Sequence, residues 1–92
     1  MKDNLSLKIK SVASNIRKVR EYRNYTQEYL AAKLDISQNA YSKIELGYTK
    51  LTVERLFQIA QILEVDINTF LNDLSEPIQI NAVVSKSSYS AM

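Results

Sequence analysis

The segment 26–47, TQEYLAAKLDISQNAYSKIELG, constrains the fold more than any other part of this sequence. Leu30, Ala31 and Leu34 recur at helical spacing after Thr26, and threonine is a frequent residue at helix N-caps. Gly47, the one glycine among 92 residues, follows a second periodic segment directly. A glycine at such a place indicates a left-handed backbone that ends a helix. The segment therefore predicts two short helices joined by a tight turn.

The second of these helices is expected over residues 38–46, with Ser37 as its N-cap. The break before it falls at Asp35 and Ile36. The helical period places Ala40, Tyr41 and Ile44 on its inward face. This spacing predicts a second helix that packs on the first through those three residues.

The outward side of this second helix carries hydrogen-bonding side chains near its N-terminus: Ser37, Gln38, Asn39, Ser42 and Lys43. An ordinary solvated face more often carries Glu, Lys and Arg. Glutamine and asparagine can pair bidentately with adenine, and a helix N-terminus is the part that enters a DNA major groove. From composition alone, a polar surface turn remains the alternative interpretation.

Three further helices are predicted, one before this pair and two after it. The first covers residues 7–23, where apolar residues recur at spacings of three and four: Ile9, Val12, Ile16 and Val19. Thr52 is expected to cap a helix over 53–63 with a wide apolar stripe: Val53, Leu56, Phe57, Ile59, Ala60 and Leu63. A short fifth helix is expected over 67–74. The fold class is therefore all-α.

A helical domain over residues 1–75 is expected to end before Pro77, which leaves residues 76–92 as a C-terminal tail. The tail begins with a β-prone segment, 78–84. That segment could form a strand with its symmetry mate or with a partner's sheet edge. The alternative is a loosely ordered tail with only Ile78 and Ile80 docked on the core.

Charge and composition narrow the function. Residues 1–50 carry ten Lys and Arg against five acids, and residues 51–92 carry two against five, so a basic half of +5 joins an acidic half of −3. This asymmetry is typical of a protein that binds a polyanion on one side. The chain has no histidine and no cysteine, which excludes His-based catalysis and Cys-ligated metals. We expect a cytoplasmic protein that is not an enzyme, needs no metal or cofactor, and does not enter a membrane.

From about residue 16 to residue 71, the sequence resembles the Xre-type helix-turn-helix family, which includes the lambdoid phage repressors and Cro. The residues that carry the resemblance are Ile16, Arg17, Val19, Arg20, Thr26, Gln27, Glu28, Leu30, Ala31, Leu34, Ile36, Ser37, Tyr41, Ser42, Lys43, Ile44, Glu45, Gly47, Leu56, Ile59, Ala60, Leu63 and Val65. The sequence departs from the family at three positions. Asp35 replaces the usual turn glycine, Leu46 replaces an Arg or Asn, and Leu51 replaces a common Pro.

The resemblance implies a five-helix, lambda-repressor-like DNA-binding domain that inserts helix 38–46 into the major groove. It implies a repressor-type transcriptional regulator that binds a roughly palindromic operator in double-stranded DNA as a homodimer. With the position in the helix, it assigns base contacts to Ser37, Gln38, Asn39 and Lys43, with Ser42 as a further candidate. It assigns DNA backbone contacts to Gln27, Tyr48, Thr49 and Lys50. It also implies a structural ion pair between Arg20 and Glu45.

Two other functions remain open on the sequence. One is an antitoxin-like interaction protein whose tail, 76–92, binds a protein partner while the helical domain regulates its own operon. The other is the controller protein of a restriction–modification system, which shares this small fold. The dimer contact is open as well, with Phe70, Leu74 and the tail as candidates.

Overall fold

The computed structural model describes residues 2–72, with side chains from residue 4 onward. Within that range the chain is all-helical and has no strand, as the sequence predicts. The helices are α1 (Lys2–Tyr22), α2 (Gln27–Leu34), α3 (Gln38–Glu45), α4 (Val53–Leu63) and α5 (Asn68–Leu71). The expected tail, 76–92, and its possible strand over 78–84 lie outside the described residues.

Hydroxyl side chains begin three of these helices. Thr26, Ser37 and Thr52 all have extended backbones, and their oxygens accept hydrogen bonds of 3.0 Å from the backbone N–H three residues later. Each bond satisfies one of the N–H groups that a helix N-terminus leaves without a partner. The three predicted N-caps are therefore confirmed.

Left-handed residues end four of the helices. Asn24, Asp35, Gly47 and Glu64 follow α1 to α4 with φ values of 64°, 60°, 78° and 60°. After α3, the N–H of Gly47 donates to the carbonyl of Ile44, and the N–H of Tyr48 donates to that of Lys43. This is the paired bonding of a Schellman motif, which favours glycine. The predicted left-handed Gly47 is confirmed.

Gly47 also lies close to α1. A Cβ added at Gly47 would meet the Cγ of Lys10 at 3.2 Å and the Cβ of Ala13 at 3.8 Å. Glycine is thus favoured here by its backbone conformation, and a Cβ would also require the Lys10 side chain to shift by a few tenths of an ångström. The end of α3 is held against the first helix as a result.

The core lies where α2, α3, α4 and α5 meet the C-terminal half of α1. Its fully enclosed side chains are Ile16, Val19, Leu30, Tyr41, Ile59, Leu63 and Phe70. Phe70 is therefore wrong as a candidate dimer contact, because its ring is inside the protomer. Leu71, the next residue, is exposed instead.

Four apolar residues that the sequence placed inward are exposed. Ile9 precedes the part of α1 on which the other helices pack, where burial begins at Ala13. Val53 and Phe57 lie on the side of α4 away from its buried residues, so the stripe of α4 is narrower than expected. Ala40 lies one position before buried Tyr41, about 100° around the helix, and faces outward.

Helix boundaries also differ from the prediction at both ends of the domain. The structure begins α1 at Lys2, five residues before the predicted start. It begins α5 at Asn68, whose N–H donates to the Asp66 carboxylate at 2.8 Å. That local turn delays the helix, which ends at Leu71 rather than at 74.

Asn15 and Arg23 connect α1 to the ends of α5 and α4, and neither role is predicted from the sequence. The buried Asn15 amide donates at 2.8 Å to the carbonyls of Phe70 and Asn72. The Arg23 guanidinium donates to the carbonyls of Leu63 and Glu64, at 2.9 and 3.1 Å. These bonds attach the ends of α4 and α5 to α1.

Among residues 2–72, no helix is long and apolar enough to cross a membrane.

Candidate nucleic-acid interface

The α2–α3 pair forms a compact unit around a three-residue turn. Asp35 takes the left-handed conformation at the end of α2, where its N–H donates to Ala32 and that of Ile36 donates to Ala31. Aspartate tolerates this conformation better than most residues other than glycine, so the turn keeps its geometry despite the departure from the family. Ser37 then begins α3 at once. The chain reverses direction in a way that leaves one side of α3 outside.

The outward side of α3 carries most of the residues predicted to contact bases. Gln38, Asn39 and Lys43 are exposed, and Ser42 is half-buried. The Ser37 oxygen accepts the cap bond from Ala40, which leaves its hydroxyl hydrogen available to a partner. The structure thus places these five side chains along one helix, from its N-cap, Ser37, to Lys43 in its last turn. Their role as base contacts stays a prediction.

A groove of about 510 Å³ runs beside this face, between α3, the loop after it and the start of α4. Three basic side chains line it, Lys43, Lys50 and Arg55, and no acidic side chain does. Such a groove favours an anion such as a phosphate. We refer to it as the basic groove.

Arg55 belongs to the basic groove and was missed by the sequence reading. It lies in the first turn of α4, and its guanidinium donates to Gln58 at 3.1 Å while the residue is half-buried. The available signal was its position three residues after the Thr52 cap, since a helix start next to the loop after α3 must lie close to α3.

The residues predicted to contact the DNA backbone lie in two places. Tyr48, Thr49 and Lys50 are all exposed in the loop between α3 and α4. Gln27 lies at the start of α2, half-buried, and its amide donates to Glu45 Oε1 at 3.0 Å. Gln27 therefore has a structural partner within the protein, and its phosphate contact stays a prediction.

Arg20 and Glu45 form a buried, two-pronged ion pair behind α3. Arg20 Nε lies 2.6 Å from Glu45 Oε2, and Nη2 lies 3.1 Å from Oε1. Arg20 Nη1 also donates to the Tyr25 carbonyl at 2.8 Å. The paired geometry fixes the guanidinium and the carboxylate in one relative orientation. It joins α1 to the end of α3.

Glu45 is the centre of a wider network. Its two oxygens accept from Arg20, from the Gln27 amide and from the Tyr41 hydroxyl. Within the described residues, no buried side-chain nitrogen or oxygen lacks a hydrogen-bond partner. A buried charge that is fully hydrogen-bonded avoids most of the cost of leaving water. Three helices are connected through this one carboxylate.

The network shifts the ionisation of its members. Burial alone would raise the pKa of Glu45, but the hydrogen bonds from Arg20, Tyr41 and Gln27 outweigh it and hold that pKa below its ordinary value. The hydrogen bond to Glu45 raises the pKa of Arg20. Burial, and then the bond to Glu45, raises the pKa of Tyr41 far above its usual range. The ion pair therefore stays charged, and Tyr41 stays protonated as a donor, throughout the neutral range.

Potential metal-ligating side chains are not clustered in the part of the chain that the structure describes. No group of three or more acidic side chains lies close enough together to hold a metal ion within residues 2–72. The chemistry that the basic groove and α3 can perform is hydrogen bonding and charge pairing.

A helix-turn-helix family model matches residues 16–70, from the middle of α1 to α5. That range is more than half of the chain, which therefore belongs to the Xre-type helix-turn-helix family, a family of DNA-binding transcription regulators.

One curated relative is the uncharacterized HTH-type transcriptional regulator YqaE of Bacillus subtilis (strain 168). It is 34% identical over 59 residues, which are 64% of this chain and 51% of the relative. The chain thus spans about half the length of that protein. No solved structure matches the chain.

Proposed function

We propose that this protein is a transcription regulator that binds specific double-stranded DNA sequences through α3. The observation that carries the proposal is the exposed N-terminal face of α3, with Gln38, Asn39 and Lys43 beside the acid-free basic groove. Two amides at the helix N-terminus, with a lysine in its last turn, match the hydrogen-bonding edges of bases in the major groove. The basic side chains of the basic groove can pair with the DNA phosphates that border the major groove.

The two sets of residues have different tasks in this proposal. Ser37, Gln38, Asn39, Ser42 and Lys43 contact base edges and set the preferred sequence. Gln27, Tyr48, Thr49 and Lys50, joined by Arg55, contact the sugar–phosphate backbone and set the register. The proposed division follows the geometry, since α3 projects its N-terminal side chains while the loop and the start of α4 flank it.

The proposed active species is a homodimer on a roughly palindromic operator. α3 has eight residues, and one such helix contacts only a few base pairs. Each base pair contributes about 1–3 kcal/mol of discrimination, so a single copy selects poorly among the sites of a genome. Two copies related by a twofold axis would place their α3 helices about 34 Å apart, one turn of DNA.

The test is selection of bound sites from a random duplex library at two salt concentrations, followed by sequencing. The proposal predicts an enriched palindrome with half-sites about one turn apart, and affinity that falls steeply with salt. A Gln38→Ala, Asn39→Ala double variant is the control, because both side chains are exposed and make no hydrogen bond within residues 2–72. It should keep its fold and lose the motif. Weak recovery without any motif from the unaltered chain would contradict the proposal.

A further inference from the structure

The apolar face of α1 continues beyond the core that covers it. Leu5, Ile9 and Val12 extend the spacing of the buried Ile16 and Val19 toward the N-terminus. Yet the exposed fractions of Leu5 and Ile9 are 65% and 46%, and Val12 is only half-buried. One end of this helix face is packed and the other end is open.

A groove of about 460 Å³ lies at the open end, between α1 and the loop 47–51 that follows α3. Ile9, Val12 and Leu51 supply its apolar surface, and Lys10 and Lys50 supply its charge. No acidic side chain lines it. We call it the α1 groove; it is separated from the basic groove by residues 49–51, which line both.

The described chain ends within reach of the α1 groove. The carbonyl of Asn72 accepts a hydrogen bond of 2.8 Å from Asn15, which fixes the end of the helical domain against α1. Along the axis of α1, at about 1.5 Å per residue, the groove wall from Val12 to Ser6 begins about 5 Å from Asn15 and ends about 14 Å from it. The five residues 73–77 can extend over about 16 Å, so residue 78 can reach the groove.

The sequence that follows is complementary to the α1 groove. Residues 78–82, IQINA, alternate apolar and polar side chains, the pattern of an extended segment with one apolar side. Before it come Asp73 and Glu76, while Lys10 and Lys50 line the groove. The approach to the groove thus joins opposite charges, and the groove itself offers apolar surface to Ile78 and Ile80.

We propose that residues 78–84 of this same chain dock in the α1 groove as an extended segment, where Ile78 and Ile80 cover Ile9, Val12 and Leu51. Burial of these side chains stabilises the docked form. The docked segment would lie along the loop that carries Tyr48 and Lys50. The proposal concerns packing within one chain and does not depend on DNA binding.

Cysteine cross-linking tests this proposal cleanly, because the natural chain has no cysteine. An Ile9→Cys, Ile80→Cys variant of the full chain is oxidised under mild conditions at low concentration, and the products are separated on a non-reducing gel. The matched control is Leu7→Cys, Ile80→Cys. Leu7 is also exposed, and it lies two residues away on nearly the opposite side of α1.

Docking predicts an intrachain disulfide that forms at least roughly tenfold faster with Cys at position 9 than with Cys at position 7, at a rate independent of protein concentration. Equal rates for the two variants would overturn the proposal. A disulfide between two chains as the main product would assign the groove to a second copy, which also overturns it. Amide hydrogen exchange gives a second readout without cysteines. Removal of residues 76–92 should speed exchange across the loop 47–51, and unchanged exchange would contradict docking.

Discussion

The two faces of α3 are built in opposite ways. On the inward face, Tyr41, Ile44 and Glu45 are buried, and Glu45 accepts hydrogen bonds from three other side chains. On the outward face, Gln38, Asn39 and Lys43 are exposed, and their side chains hold no hydrogen bond within residues 2–72.

This difference explains how so short a helix can be held firmly and still be available to a partner. An isolated helix of eight residues is not stable in water, so its orientation must come from tertiary contacts. The inward face provides them through packing and the Glu45 network. The outward groups have no hydrogen-bond partner within residues 2–72, and a second molecule can bond to them.

The largest effect is expected from Glu45→Ala. It removes the carboxylate and leaves the Arg20 guanidinium buried without its partner, which costs about 3–5 kcal/mol of unfolding free energy. Urea unfolding followed by circular dichroism measures this loss. Arg17→Ala is the control, because its pair with Glu21 is exposed at 61% and 53% of the two side chains, and such pairs contribute little. Equal losses in the two variants would show that the network does not anchor α3.

The second largest effect is expected from Tyr41→Phe. It removes the hydroxyl that donates to Glu45 but keeps the ring, and loss of a hydrogen bond to a charged group costs about 1.5–3 kcal/mol. Because Tyr41 has a raised pKa, its contribution is complete below about pH 10 and is lost as the pH rises further. Urea unfolding at pH 7 and at pH 10 to 11 measures both quantities. The unfolding free energy of the variant should be lower than that of the natural chain at pH 7. It should also fall less between pH 7 and pH 10 to 11.

The same network predicts that the unfolding free energy falls at acid pH. The pKa of Glu45 is lowered, so its contribution is present above about pH 4.5 and is lost as the pH falls through the lower folded-state value. Glu45→Gln should flatten this part of the stability profile below pH 4.5. An unchanged fall at acid pH in that variant would assign the decline to other carboxylates.

A smaller effect is expected at the ends of the helices. Gly47→Ala forces a Cβ into a left-handed residue 3.2 Å from Lys10, which should cost about 1–2 kcal/mol. Asp35→Gly is the opposite substitution, because it places glycine where aspartate now has a φ of 60°. It should raise the unfolding free energy by up to about 1 kcal/mol. Thermal unfolding of both variants measures the pair of opposite shifts. Shifts of the same sign would contradict this account of the two turns.

The smallest effect on stability is expected from Arg55→Ala, which changes a groove residue outside the Glu45 network. Its unfolding free energy should change by less than about 0.5 kcal/mol. DNA affinity should fall by a similar factor on all sequences, and the slope of log affinity against log salt should become shallower by about 0.9. Fluorescence anisotropy over a salt series measures the slope. An unchanged slope would remove Arg55 from the proposed backbone contacts.

Local signals predicted much of the fold. The hydroxyl caps and the single glycine are decided by the backbone chemistry of a few neighbouring residues, so Ser37, Thr52 and Gly47 could be interpreted without knowing the rest of the chain. The exposed face of α3 followed in the same way from its cap and its period, except that Ala40 was placed inward and is exposed.

Long-range features were harder to predict. The period of α1 includes Ile9, but it does not show where the other helices stop covering α1. Asn15 looks like any polar residue on a helix, and its two bonds depend on where α5 ends. Arg55 joins the basic groove only because the loop returns α4 to the side of α3. These placements depend on tertiary packing, which no local window contains.

The central claim is that the outward face of α3 determines which DNA sequence is preferred. The residues of the loop after α3 and of the start of α4 contribute affinity that does not depend on sequence. The most direct measurement compares Lys43→Ala with Lys50→Ala on the selected operator and on all its single-base variants. The account predicts that Lys43→Ala changes the preference at one base position by about 1–3 kcal/mol, and that Lys50→Ala weakens binding to every variant by the same factor. Uniform losses from both substitutions would contradict it.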